Sequence, residues 1–172
     1  MVNFITAVLL ILFAALSRLI PHPMNFAPIT AIALFSGTYL NKKYAFIIPI
    51  IAMLLSDAVI GFHSSMVWVY GSFVIIALIG IWLKSHKRIG YVIGTTLASS
   101  IIFFVITNFG VWTSGYYGHT LNGLTECYVM AIPFFRNSVA GDLFYVALMF
   151  GIYELVARFT GKTLPEESKV SK

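Results

Sequence analysis

The sequence has little charge. Only 10% of its 172 residues are Asp, Glu, Lys or Arg, against about a quarter in soluble domains. With 59% of residues hydrophobic, a water-soluble core of this size could not bury so much apolar surface, so lipid must solvate much of it. A single cysteine rules out an internal disulfide and a classical four-ligand zinc knuckle. No G-x-S-x-G, no H-E-x-x-H and no glycine-rich phosphate loop is present. The reading therefore includes no catalytic group, no cofactor and no metal. No span carries a chain of carboxylates through its middle, as a proton relay would. The net charge of +5 does not form a nucleic-acid surface, because the cations sit in short clusters between apolar runs.

What is present is a series of apolar segments. They predict an all-α membrane protein with spans near 4–20, 29–41, 44–60, 66–83, 90–112 and 137–159. The second is short for a span of about 20 residues. Residues 127–135 are apolar but too short to cross and read as interfacial or re-entrant, with Asn137 capping the last helix. The first span lacks a preceding Lys or Arg and a small-x-small cleavage site, so it reads as retained rather than as a signal. Residues 1–159 form one transmembrane domain, and 160–172 a polar cytoplasmic tail.

Six spans put both termini on one side. Lys42, Lys43, Lys84, Lys87, Arg88, Arg158, Lys162, Lys169 and Lys172 then share a face, leaving Arg18 and Arg136 opposite. That asymmetry makes both termini cytoplasmic.

Arg18–Pro28 holds three of the six prolines. Proline cannot donate to a helix ladder and pushes its predecessor out of helical geometry, so this is a shaped turn. The outward face collects His22, Asn25, His63, Asn108, Trp112, Tyr117 and His119, which are the candidate ligand-binding residues. Arg18, Asp57, Arg136 and Asp142 lie at the outer helix ends. They predict an ion-pair network joining the first, third and last helices, lining a pocket or only stapling the bundle. Ionisable groups at membrane depth tend to face the bundle interior or a watery cavity. His22, His63 and His119 with Cys127 contain donor types that suit a transition metal, but no H-x-x-x-H or C-x-x-C spacing joins them. Glu154 precedes Arg158 by four residues, an ordinary exposed helix pair. Trp68, Tyr70, Trp112, Tyr116, Tyr117 and Tyr128 lie near one level, as belt residues or as stacking surfaces. Ala27, Ala31, Ala33 and Gly37, and Gly94, Ala98 and Ser99, have the small-residue spacing of close helix contacts, internal or with a partner.

The segments RLIPHPMNFAPITAIALFSGTYL, LLSDAVIGFHSSMVWVYGSF, ITNFGVWTSGYYGHTL and CYVMAIPFFRNSVAGDLFY resemble a family of small bacterial inner-membrane proteins with no assigned activity, and the likeness spans nearly the whole chain. The pattern is more distantly similar to the substrate-binding components of energy-coupling-factor vitamin transporters. The proline-rich turn, the Ala/Gly helix after it and Asp57-x-x-x-Gly61 carry that likeness. It implies six helices, cytoplasmic termini and capture of a vitamin between outer loops. It also implies partners: a coupling membrane subunit with separate ATPases. Those components dock through an Ala-xxx-Ala motif on the first helix. Here Ala7, Ala14 and Ala15 lack that spacing, while Ala27–Ala31 and Ala33–Gly37 have it.

The sequence thus leads to a lipid-embedded protein that captures a small vitamin-like molecule in an outward-facing pocket, the long fifth connection closing over it. The alternatives are a structural or assembly subunit of a membrane complex and, third, a membrane enzyme with an outward His/Asp site.

Overall fold

The computed structural model describes residues 2–159, with side chains from residue 5 onward. The expected cytoplasmic tail and its lysines lie outside the described residues. The chain forms six helices: α1 (Val2–Leu19), α2 (Ile29–Tyr39), α3 (Lys42–Ile60), α4 (Met66–Leu83), α5 (Ile89–Thr113) and α6 (Leu121–Phe159). Four of them, α3 to α6, are long and apolar enough to cross a membrane. The shorter α1 and α2 are apolar too.

α2 is the centre of the bundle. It touches all five other helices, and every residue from Ile29 to Thr38 is buried. This 11-residue helix, too short to cross a bilayer by itself, is thus surrounded by protein on all sides. Its close approach to α4 depends on two glycines. A Cβ at Gly37 would lie 2.7 Å from the Gly80 carbonyl carbon, and one at Gly80 would lie 2.8 Å from the Leu34 carbonyl oxygen. Thr38 Oγ1 donates across the crossing to the Gly80 carbonyl at 3.1 Å. The small residues of this segment therefore serve internal packing. On α5, by contrast, Gly94 has open space at its Cβ position and Ala98 is exposed.

α5 is inverted relative to a helix of a soluble protein. Its buried residues are Thr95, Thr96, Ser99, Ser100 and Gly110. Ile93, Leu97, Ile101, Val105 and Phe109, four residues apart, are exposed. An apolar stripe of that kind facing outward is stable against lipid and not against water. Small and hydroxyl residues face inward because apolar side chains gain nothing by leaving lipid, whereas close packing and hydrogen bonds do. The Thr95 and Thr96 hydroxyls donate to carbonyls four residues earlier, at 2.7 Å each, so they are satisfied without a partner helix.

The largest departure from the sequence reading is α6. Its 39 residues run without interruption through the segment expected to be interfacial, and through Asn137, expected to cap. At about 1.5 Å per residue such a helix is roughly 58 Å long, beyond the ~40–45 Å of a whole bilayer. Pro133 lies inside it and withholds one ladder hydrogen bond. The polar residues that suggested a break are accommodated otherwise. Arg136 is exposed, and Asn137 Nδ2 donates to the Met24 carbonyl at 3.1 Å. With 121–126 helical, the fifth connection shortens to residues 114–120.

Candidate functional site

The contacts sort the helix ends into two groups. One end carries the proline-rich turn, the C-terminus of α1, Asp57 on α3, the start of α4 and the end of α5. Arg18 Nη1 pairs with Asp57 Oδ1 at 2.7 Å and also donates to Ser56 Oγ. Tyr70 donates to the other Asp57 oxygen at 2.8 Å. Asp57 is 1% exposed, and a charge at that depth requires a partner. Here the guanidinium, with the Tyr70 phenol, supplies it. At the opposite end Tyr39 donates to Glu154 at 2.6 Å, with Lys87 above the Tyr39 ring and Tyr153 4.0 Å from it, centroid to centroid. Glu154, expected to pair with Arg158, thus joins α6 to α2 instead.

The turn itself is fixed in three ways. Phe26 packs on Phe144 and Tyr145 of α6, with ring centroids 5.9 and 5.6 Å away. Gly141 leaves room for it, since a Cβ there would come within 3.1 Å of Phe26 Cα. Asn137 holds the Met24 carbonyl. Between these anchors Asn25 has φ of 63°, a left-handed conformation that Asn tolerates better than most residues.

Beneath the turn lies a cavity with two adjoining lobes. The first, about 230 Å³, is lined by Arg18, Asn25, Ala27, Ile29, Thr30, Met53, His63, Val69, Phe73, Phe103, Ser138 and Asp142. The second, about 200 Å³, is lined by Ser65, Phe104, Thr107, Asn108, Val111, Ala131, Phe134 and Phe135. Asn25, Val69, Phe103 and Ser138 line both. Half of the first lobe's lining is polar or charged and half apolar, and polar groups that converge beside apolar surface are what orient a small molecule in a site.

Of the residues singled out from sequence, Asn25, His63, Asn108, Arg18 and Asp142 meet at this cavity. His22, Trp112, Tyr117 and His119 are not among its lining. His22 Nδ1 is 2.6 Å from the Ile20 carbonyl. Trp112 Nε1 donates to the Thr120 carbonyl, and His119 Nε2 lies 3.2 Å from the Thr113 carbonyl, so both bind within their own loop. Tyr117 meets Tyr116 edge to face. The predicted four-residue charge network divides as well: Arg18 and Asp57 pair, Arg136 is exposed, and Asp142 stands apart with hydroxyls. Ser100 donates to Asp142 Oδ2 at 2.7 Å, and Thr30 hydrogen-bonds the same carboxylate. Among the described residues, no three His, Cys, Asp or Glu side chains gather as metal ligands.

The sequence reading missed Thr30, Ser100, Ser138, Phe73 and Phe103. Ser138 precedes Asp142 by four, placing both on one face of α6, which was the available signal. Ser100 and Phe103 gave none beyond position on a polar helix face.

No curated protein and no solved structure matches the chain. Residues 1–165 match a family described as a family of unknown function, DUF6580. The chain belongs to that family.

Proposed function

We propose that this protein is an integral membrane substrate-binding protein that captures a small molecule in the cavity beneath the proline-rich turn. The observation that carries the proposal is that cavity: a turn pinned to α6 by Phe26 and Asn137 roofs a space lined by Asn25, His63, Asn108 and Asp142. A chain that served only to brace neighbours would have no reason to keep polar groups around a void at membrane depth, where they are costly.

In this proposal all six helices cross or enter the bilayer, both termini are cytoplasmic, and the cavity opens to the outside of the inner membrane. The cation asymmetry supports that orientation. The Tyr39–Glu154 bond with Lys87 and Tyr153 ties the helices together at the opposite end, which supports entry from the side of the turn. The ligand is of vitamin size, and its onward movement uses a separate coupling subunit with ATPases.

A vitamin panel tests this by thermal unfolding of the purified chain. A ligand that binds only the folded state raises the transition in proportion to its concentration. Pull-down in mild detergent tests the coupling partner. A stoichiometric membrane partner with no response to any compound would favour an assembly subunit instead.

A further inference from the structure

We propose that the occupant of the cavity is a protonated amine on an apolar body, with its ammonium group seated against Asp142. This rests on the ligand-binding reading above and names the chemical class of that ligand.

Asp142 is 3% exposed and lines the first lobe. Among the described residues the Arg18–Asp57 contact is the one ion pair, so no described cation lies within pairing distance of Asp142. The Arg18 charge at the same lobe is already balanced by Asp57. The cavity is therefore left with one uncompensated carboxylate. A buried carboxylate without a partner is strongly disfavoured. Two hydroxyl donors, from Ser100 and Thr30, only partly offset that cost. A carboxylate offers about four lone-pair sites, so acceptor capacity remains.

The neighbouring hydroxyl points the same way. Ser138 lines both lobes, and its proton is committed to the Phe134 carbonyl at 3.1 Å. Toward the cavity it can only accept. Asp142 and Ser138 therefore present acceptors where an anion would need donors. An ammonium group has three donors and no acceptor, and charge-assisted bonds to a carboxylate are the strong kind. Arg18, Asn25, His63 and Thr30 also line this lobe; the remainder is apolar, with the Phe73 and Phe103 rings 5.3 Å apart, centroid to centroid. The apolar part of the wall suits a hydrocarbon or aryl body.

The test uses the full chain in lipid nanodiscs and three probes of one shape: phenethylamine, phenethyl alcohol and 3-phenylpropanoate. Affinity is read by isothermal titration, and sodium chloride against choline chloride is read by thermal unfolding. Phenethylamine should bind, and its alcohol and acid counterparts should bind more weakly, on the order of 10–100-fold, the scale of one charge-assisted hydrogen bond. Asp142→Asn keeps the shape and an acceptor for Ser100 and Thr30, and should lose the preference for the amine. Val69→Trp, at a residue that lines both lobes, should abolish binding, and a cooperative thermal transition of each variant separates lost binding from misfolding. Equal affinity for the three probes, tighter binding of the acid, or an unchanged amine affinity in Asp142→Asn would overturn the inference. So would a sodium-specific stabilisation lost in Asp142→Asn, which would make the occupant an inorganic cation. If a neutral or anionic compound binds and Val69→Trp removes it, the ligand-binding reading stands and the amine falls. If neither these probes nor the vitamin panel binds, both fall.

Discussion

Arg18 and Asp57, 39 residues apart in sequence, meet through a 2.7 Å bond that ties the end of α1 to the end of α3. Asp57 is 1% exposed, and the Arg18 side chain is 18% exposed. The two ends of this bond are therefore unequal. Replacing Arg18 with Met strands a carboxylate in the interior and should cost about 3–5 kcal/mol. Asp57→Asn leaves the cation able to reach water or headgroups and should cost less. Denaturant unfolding of both variants in one detergent checks the order, and a larger loss in Asp57→Asn would show that the burial has been misassigned.

The α2–α4 crossing is limited by backbone contact. Gly37→Ala and Gly80→Ala would each push a methyl group into main-chain atoms under 3 Å away, and should cost about 1–3 kcal/mol as overpacking. Gly71 on α4 has nothing within 4 Å of its Cβ position. Gly71→Ala should be neutral or slightly stabilising, since alanine is the better helix former by about 1 kcal/mol. Thermal unfolding of the three variants side by side is the check.

The turn over the cavity is tied to α6 by the side-chain hydrogen bond from Asn137 to Met24, besides the packing of Phe26. Asn137→Ala should lose about 0.5–1.5 kcal/mol. Its effect should be local: amide hydrogen exchange should speed up across residues 22–28, where Phe26 bonds to Pro23 at 2.9 Å, and remain slow in the buried α2. Equal acceleration in both segments would mean that the turn is not an independent roof.

Orientation follows from labelling with a membrane-impermeant thiol reagent. Cys127 is buried and gives a low background. His63→Cys and His119→Cys should react from outside intact cells. Lys43→Cys and Lys84→Cys should react only after the membrane is opened. The reverse pattern would invert the cavity.

Much of this architecture is legible in the sequence because lipid imposes simple demands. Apolar runs without charge have to be helices, since the bilayer offers no partner for a free backbone group. Met66–Leu83 was read at its observed bounds for that reason. The start of α6 was not legible. Pro133 and Asn137 are residue types that mark helix ends in water, and the sequence does not reveal that Asn137 finds the Met24 carbonyl of a turn 113 residues earlier. The cavity was legible in part. Asn25, His63 and Asn108 were marked by polarity in apolar surroundings, and they line it. His22 and His119 carried the same mark but are satisfied by carbonyls nearby. Polarity indicates that a side chain needs a partner, and only the fold shows whether that partner is its own loop. The separation of Asp142 from Arg18 was beyond reach, because summed formal charge does not reveal pairing.

The capture of a small molecule beneath the proline-rich turn is tested most directly by native mass spectrometry of the protein, purified in lipid nanodiscs and mixed with a concentrated extract of its own cells. The account predicts one added small-molecule mass per chain for the native sequence and none for Val69→Trp. An adduct that persists in Val69→Trp, or a bare chain mass at every extract concentration, would contradict it.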